Sequence, residues 1–131
     1  MLMADDIEQL ALFANEAFYL AFESKDVDAM GHLWSSTKPV ACLHPGWPAL
    51  HGRELVLNSW KDILGNPGQG QVSFFDATCA RVAQDTVVVT CYEDAGGSVM
   101  IATNVFVEES AGLKLVLHQA GFCAHPPQQP D

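Results

Sequence analysis

The sequence predicts an α+β domain in which three helices and one short strand precede an antiparallel sheet. Apolar residues recur at helical spacing in the first half of the chain, up to Gly65. From Gln71 onward, runs rich in β-branched residues alternate with turn sequences such as Asp94–Gly97. Because helical and strand patterns occupy separate parts of the chain, we expect the helices to cover one face of the sheet.

The first two helices are predicted from capping residues and helical spacing. The first spans about Asp5–Ser24 and begins with an Asp-x-x-Glu pattern at Asp5 and Glu8, a variant of the capping box. A shorter helix begins after Asp26, whose carboxylate can cap it, and ends near Trp34. Three phenylalanines of the first helix are assigned to the core: Phe13, Phe18 and Phe22.

A strand, a tight loop and a third helix follow between Val40 and Gly65. The strand Val40–His44 stops at a Pro-Gly pair, and the helix runs from about Gly52 to Gly65. Its predicted inward stripe is Val56, Trp60 and Ile63, with Arg53 on the outer face. The stretch holds a high density of side chains that can bind ligands: His44, Trp47, His51, Arg53 and Trp60. This density indicates a pocket, although we assign Trp60 to the core and His51 to the surface.

Four longer strands complete the predicted sheet, and alternation along one of them indicates a partner surface. The predicted strands are Gln71–Ala83, Thr86–Glu93, Ser98–Glu108 and Leu113–Cys123. Both faces of Ser98–Glu108 are apolar, whereas a sheet covered on one side alternates apolar with polar residues. The helices can cover only one face. We therefore expect a homodimer that packs through the outer face of the sheet.

Composition favours one cytoplasmic domain spanning residues 1–131. Sixteen acidic residues against six basic ones give a formal charge of −10, which argues against nucleic acid or an anionic membrane as partner. The beginning of the chain has no signal-peptide pattern, and no apolar run is long enough to cross a membrane. The four cysteines form no Cys-x-x-Cys motif, so we expect reduced core residues.

Five local patterns follow one another along the chain: Leu33-Trp34, VACLHPGW, HGRELVLNSWKDIL, ATNVFV and LVLHQAG. In this order they resemble the SnoaL-like branch of the nuclear transport factor 2-like superfamily. The resemblance implies a cone, in which a curved antiparallel sheet wraps around about three N-terminal helices and leaves a pocket at the open end. It also implies a homodimer, as in many members. The chain departs from its relatives at Leu113, where a tryptophan is common.

Five residues are predicted to contact a ligand in this pocket: His44, Trp47, Tyr92, Asn104 and His118. His44 has a second interpretation, in which it only holds the turn through a hydrogen bond to a loop carbonyl. Asn104 is a mid-strand amide that needs a partner, so it either binds ligand or ties down a helix end. His118 becomes a buried neutral histidine if its face looks inward. Asp76 is the one carboxylate considered as an inward base, although an outer or edge position is favoured.

Three functions fit these residues, none with a metal or a cofactor. The spacing of His44 and His51 matches no metal motif, and no dinucleotide fingerprint or phosphate loop is present. The first function is a dimeric domain that binds a small, mostly apolar molecule. The second is a cofactor-independent isomerase, cyclase or dehydratase. The third is an assembly domain resembling the association domain of calcium/calmodulin-dependent kinase. A carboxyl group with a strongly raised pKa would favour the enzyme.

Overall fold

The structure, a computed structural model, describes residues 4–130, with side chains from residue 6 onward. The helices are α1 (Ala4–Ser24), α2 (Val27–Leu33) and α3 (Arg53–Gly65). The strands are β1 (Ala41–Leu43), β2 (Leu50–His51), β3 (Ser73–Ala83), β4 (Thr86–Ala95), β5 (Ser98–Glu109) and β6 (Gly112–Phe122). They form one sheet in the order β2-β1-β6-β5-β4-β3. The predicted α+β class is confirmed, with three helices packed on a curved sheet.

The sheet is mixed, because the early strand pairs with the last one. β1 lies parallel to β6, with Cys42 opposite His118 in the register. β2 falls in the stretch that the sequence analysis assigned to a loop, and it pairs antiparallel with β1. This long-range pairing brings the end of β1, and therefore His44, close to the inward side chains of β6.

Helix α1 covers the inner face of the sheet along one stripe. Ile7, Ala11 and Phe18 on this stripe are buried in the core, and the predicted helix is confirmed. Phe13 is 62% exposed, so its assignment to the core was wrong. It lies two residues from Ala11, about 200° around the helix, and therefore faces away from the sheet. Capping by Asp5 lies outside the described side chains.

Helices α2 and α3 are joined by Arg53, which the sequence analysis placed on the outer face. Its guanidinium instead donates hydrogen bonds to the carbonyl oxygens of Trp34 (2.7 Å), Ser35 (3.0 Å) and Gly31 (3.0 Å). Carbonyls at the end of a helix have no partner within the helix, and a fork of cationic donors satisfies them. The outer-face prediction was therefore wrong, although Trp60 is buried as expected.

A β-bulge in β3 changes which positions of this strand face inward and which face outward. Asp76 has a positive φ of 54° at the irregularity, and its side chain is exposed. Before it, Phe74 stacks inward on Tyr19 of α1, with ring centroids 4.8 Å apart. Phe75 instead stacks on Tyr92 at 5.5 Å. This pair lies on the outer face, because Tyr92 alternates along β4 with inward-facing neighbours.

Other expectations concern chemistry rather than topology. His51 is exposed, as the sequence predicts. All four cysteines are free and form no disulfide. Within residues 4–130, no helix is both long enough and apolar enough to span a membrane.

Candidate active site

A cavity of about 380 Å³ lies between the ends of α1 and α3 and the inner face of the sheet. Its floor consists of Glu93 from β4 and His118 from β6. Its rim consists of the loop after β1, with Trp47, and the end of α3, with Asp62. The complete lining is Phe22, His44, Pro45, Trp47, Asp62, Ile63, Asn66, Gln69, Val72, Glu93, Ala95, Met100 and His118.

Glu93 is a buried carboxyl group at the floor of the cavity. It continues the inward series of Val87, Val89 and Cys91 along β4, and only 4% of it is exposed. Burial raises the pKa of Glu93 to about 7, although a hydrogen bond from Tyr19 opposes the rise. The Tyr19 hydroxyl donates to Glu93 Oε2 at 2.6 Å. Near neutral pH, Glu93 can therefore hold a proton that it can donate.

His118 lies beside Glu93 as a buried neutral base. It is 1% exposed. Burial, and then repulsion from the protonated form of nearby His44, lower the pKa of His118 to about 3. Its Nδ1 is 2.6 Å from Asn104 Oδ1, and its Nε2 is 3.8 Å from Glu93 Oε2. Because burial disfavours both charges, we interpret the second contact as a neutral acid beside a neutral base. One oxygen atom of a ligand between the two groups could reach hydrogen-bond distance of both.

His44, the second histidine of the cavity, donates its ring hydrogen to Ser59 of α3. Its Nε2 is 2.9 Å from Ser59 Oγ, and the Ser59 hydroxyl donates its own hydrogen to the carbonyl oxygen of Val56 at 2.6 Å. His44 Nε2 must therefore carry a hydrogen and donate it to Ser59. Burial lowers the pKa of His44 to about 4. The ring also packs against Trp47, with centroids 4.9 Å apart, and forms a wall of the cavity.

Lysine, arginine and any cluster of three metal-ligating side chains are absent from this part of the described structure. No lysine or arginine is among the described residues that line the cavity. Among the described side chains, no three histidine, cysteine, aspartate or glutamate residues are grouped to hold a metal ion. The cavity therefore combines apolar walls with one acid and one base at its floor.

The comparison with protein families adds to this geometry. The model of the SnoaL-like domain matches residues 12–125 of the chain. This chain belongs to the SnoaL-like family. The family assignment confirms the resemblance predicted from the sequence.

Two solved structures support the assignment of this SnoaL-like chain to the wider superfamily. One is a provisionally assigned dehydratase of the nuclear transport factor 2-like family from Streptomyces avermitilis. It is 32% identical, with a TM-score of 0.84, and the match covers 94% of this chain and 100% of that one. The other is a provisionally assigned calcium/calmodulin-dependent protein kinase type II association domain from Thiobacillus denitrificans. It is 32% identical, with a TM-score of 0.70, over 84% of this chain and 92% of that one.

A longer plant protein also contains a similar region. The F-box protein SKIP8 of Arabidopsis thaliana is 26% identical over 117 residues, which make up 88% of this chain and 50% of that protein. The SnoaL-like chain thus spans about half the length of this relative.

The structure brings three of the five predicted site residues together around the cavity and places two elsewhere. His44, Trp47 and His118 line the same cavity, and Trp47 is 45% exposed at its rim. Asn104 is buried beneath the floor, where its amide contacts His118 and two residues of α1. Tyr92 does not line the cavity and lies on the opposite face of the sheet, because the inward positions of β4 are its neighbours Cys91 and Glu93.

Sequence reasoning missed three polar residues around the floor. Glu93 shares strand parity with Val89 and Cys91, and this alternation was the available signal. Asn15 and Tyr19 lie on the buried side of α1. The available signal was a polar amide on the apolar face of a helix, because a buried amide needs a polar partner. Asp76, considered as an inward base with an outer or edge position favoured, is exposed on the bulge.

Proposed function

We propose that this protein catalyses cofactor-independent proton transfer on a small uncharged molecule, as an isomerase or a dehydratase. One observation carries the proposal: Glu93 and His118 form a buried acid–base pair, 3.8 Å apart, at the floor of a cavity. The shifts of their pKa values leave a proton on the acid and a lone pair on the base near neutral pH. This is the raised carboxyl pKa that favours an enzyme over a simple binding domain.

The two groups have complementary roles in the proposed reaction. Glu93 donates its proton to a carbonyl oxygen or to a departing hydroxyl group of the substrate. His118 Nε2 accepts a proton from an adjacent carbon, so that an enol forms, or a C–O bond breaks and water leaves with an alkene. In either case Glu93 ends as a carboxylate and His118 as an imidazolium. In isomerisation His118 delivers its proton to another carbon while the Glu93 carboxylate takes its proton back from the enol oxygen, so the carbonyl group re-forms. After dehydration the proton on His118 passes back to Glu93 across the short gap.

The lining of the cavity supports an uncharged substrate. An anionic group would find no lysine or arginine among the described lining residues, and both histidines are held neutral by burial. A buried charge without a partner is costly. The apolar walls, including Phe22, Ile63 and Met100, favour a hydrocarbon body. The volume of about 380 Å³ is near the lower end of the range for ligand pockets.

The relative from Streptomyces avermitilis supports the dehydratase branch of the proposal. Its name assigns dehydration to that protein, and it shares 32% of its residues over 94% of this chain. A shared fold does not establish a shared reaction. The assignment therefore supports the choice of dehydration substrates in the test below, while the Glu93–His118 pair carries the argument.

Proton exchange in deuterium oxide tests the proposal without knowledge of the natural substrate. The protein is incubated with a panel of small cyclic ketones, such as 1-tetralone, and with β-hydroxy ketones. NMR then follows deuterium uptake at the carbon next to the carbonyl group, and loss of water. We expect saturable catalysis by the wild type and a loss of at least about 10²-fold in Glu93→Gln, which cannot donate an acidic proton.

The control is Asp76→Asn, which removes an exposed carboxylate outside the cavity and should leave the rate unchanged. Saturable ketone binding without exchange or elimination would overturn the enzyme proposal and favour the binding domain. Equal rates in the wild type and Glu93→Gln would also overturn it.

We also propose that two copies of the chain pair through the outer face of the sheet. The support is apolar exposure: Val82 and Ile101 project from this face into solvent. Light scattering at micromolar concentration should give twice the mass of one chain, and Ile101→Lys should shift it toward the single-chain mass. A monomer in the wild type contradicts this pairing. Glu108→Lys, at an exposed position near the end of β5, is the matched charge control.

A further inference from the structure

We infer that Asn104 is a positioning residue, which Asn15 and Tyr19 of α1 orient so that His118 keeps its hydrogen on Nδ1 and presents Nε2 to the cavity. This inference rests on the proposed role of His118 as the base. It gives Asn104 a function different from the ligand contact expected from the sequence. The argument depends on which atom of each side chain donates and which accepts.

The orientation of the Asn104 amide is determined by its two partners on α1. Its Nδ2 is 2.8 Å from Asn15 Oδ1 and 3.3 Å from the Tyr19 hydroxyl oxygen. The single Tyr19 hydrogen is donated to Glu93 at 2.6 Å, so the hydroxyl oxygen can only accept from Asn104. Both partners therefore require the NH₂ group of Asn104 on their side, and the amide oxygen faces His118.

The amide oxygen in turn determines the tautomer of His118. Asn104 Oδ1 lies 2.6 Å from His118 Nδ1 and has no hydrogen to give, so Nδ1 must carry the hydrogen. A neutral imidazole has only one N–H, which leaves the lone pair on Nε2. Nε2 is the nitrogen beside Glu93 and the cavity. The opposite tautomer would place a hydrogen on the side where the proposed reaction requires a base.

Three hydrogen bonds beneath the cavity form a chain in which each side chain donates to the next. His118 donates to Asn104, Asn104 donates to Tyr19, and Tyr19 donates to Glu93. These hydrogen bonds would form a closed ring if Glu93 Oε2 and His118 Nε2 were not 3.8 Å apart. A substrate oxygen on the cavity side of this pair could accept from protonated Glu93, and the base opposite is left free. Asn104 therefore links the orientation of the acid to that of the base.

The test reads the tautomer directly and needs no substrate. In protein with ¹⁵N-labelled histidine, long-range ¹H–¹⁵N NMR distinguishes a ring nitrogen that carries a hydrogen from one with a lone pair. We expect His118 in the wild type to carry the hydrogen on Nδ1. A wild-type protein with the hydrogen on Nε2 overturns the inference, even if every variant fails to fold.

Two variants at position 104 separate positioning from packing. Asn104→Leu removes the acceptor, so we expect a mixture of tautomers and a loss of ketone exchange in proportion to the lost Nδ1–H form, about twofold for an equal mixture. Asn104→Asp retains an acceptor for Nδ1–H, so we expect the wild-type tautomer and a higher pKa for His118 beside the new carboxylate. A wild-type tautomer in folded Asn104→Leu would overturn the role of Asn104.

Tyr19→Phe is the matched control within the network. It keeps the ring that stacks on Phe74 but removes the hydroxyl, and Asn15 still holds the Asn104 amide. We expect an unchanged His118 tautomer and a further rise in the pKa of Glu93, which loses a hydrogen bond to its charged form. A change of tautomer in Tyr19→Phe would contradict the assignment of Asn15 as a sufficient anchor. If the tautomer result holds while no ketone reacts, only the proposed reaction fails.

Discussion

The floor and the rim of the cavity each contain a histidine, and the two rings donate their single hydrogen from different nitrogens. His118, on the floor, donates from Nδ1 to Asn104 and leaves Nε2 facing Glu93. His44, at the rim, donates from Nε2 to Ser59 and thereby ties the loop after β1 to α3. Both rings are buried and neutral. Each ring keeps one lone pair, and the lone pair of His118 lies beside Glu93, so His118 is the candidate base.

The supporting elements differ in the same way. The floor residues lie on β4 and β6, which are held by continuous strand pairing and by α1. The rim combines a loop with the last turn of α3, and its Trp47 is half exposed. Precise geometry is easier to maintain on strands than on loops. We therefore expect chemistry to depend on the floor and affinity to depend on the rim, and the following predictions test this division.

The largest effect should separate the two histidines. His118→Gln removes the base, so deuterium exchange into 1-tetralone should fall by at least about 10²-fold. His44→Gln retains a donor for Ser59 and should reduce exchange by less than about tenfold. The measurement is the maximal exchange rate at saturating ketone. Equal losses in the two variants would remove the distinction between floor and rim.

The next effect concerns stability, because the Glu93 carboxyl group is buried in its neutral form. A folded pKa of about 7, above the usual value of 4.5 for this group, stabilises the fold below about pH 4.5, and this contribution is lost as pH rises through about 7. Glu93→Gln stays neutral, so above about pH 7 it should exceed the wild type by about 1–3 kcal/mol in free energy of unfolding. Urea unfolding at about pH 5 and about pH 8.5 measures the difference. Parallel pH profiles would contradict the raised pKa.

A smaller effect should appear in selectivity for charge. Three probes share one bicyclic body: 1-tetralone, its carboxylate analogue tetralin-1-carboxylate and the amine 1-aminotetralin. We expect the ketone to bind at least about tenfold more tightly than the carboxylate, because no lysine or arginine is among the described residues that line the cavity. Asp62→Lys at the rim should narrow the difference, and Glu108→Lys, outside the cavity, should not.

Calorimetry measures these affinities. Tightest binding by the amine would show that a carboxylate of the cavity, Glu93 or Asp62, acts as a counter-ion, and it would contradict the proposal of an uncharged substrate.

The smallest effect should come from the exposed ring at the rim. Trp47→Ala removes part of an apolar wall, so the affinity for 1-tetralone should fall by a few-fold, about 1 kcal/mol, while exchange in the bound ketone stays the same. Leu55→Ala removes an exposed apolar side chain of α3 outside the cavity and is the control. A large loss of maximal rate in Trp47→Ala would place this ring in the chemistry rather than at the rim.

Much of the fold could be predicted because its signals are local. The start of α2 was predicted from Asp26, whose carboxylate accepts from the Ala29 amide at 3.0 Å. The hairpins follow from glycine-containing turns and from alternation. Two predictions failed for different reasons. Phe13 lies on the exposed side of α1, which is a matter of local helical spacing. Arg53 bonds to carbonyls at the end of a different helix, which is a tertiary contact.

The candidate site was only partly predictable for the same reason. His44, Trp47 and His118 were identified as cavity residues, and all three line the cavity. The first two lie at a strand end and in the loop that follows it, and the third is a polar side chain within a strand. Glu93 was missed because its parity along β4 does not reveal which face of the strand is covered. Tyr92 was chosen in its place, one residue away on the same strand. A single step in strand position exchanges the inner face for the outer one.

The sequence by itself determined the α+β class, the order of the elements and the family, because helical period, strand alternation and turn residues act over a few residues. Only the tertiary structure determined the chemistry. The pairing of β1 with β6 brings His44 near His118, and α1 supplies Asn15 and Tyr19 to residues more than seventy positions later in the chain. A pKa and a tautomer depend on burial and on the donor at hydrogen-bond distance, and both are properties of the packed molecule.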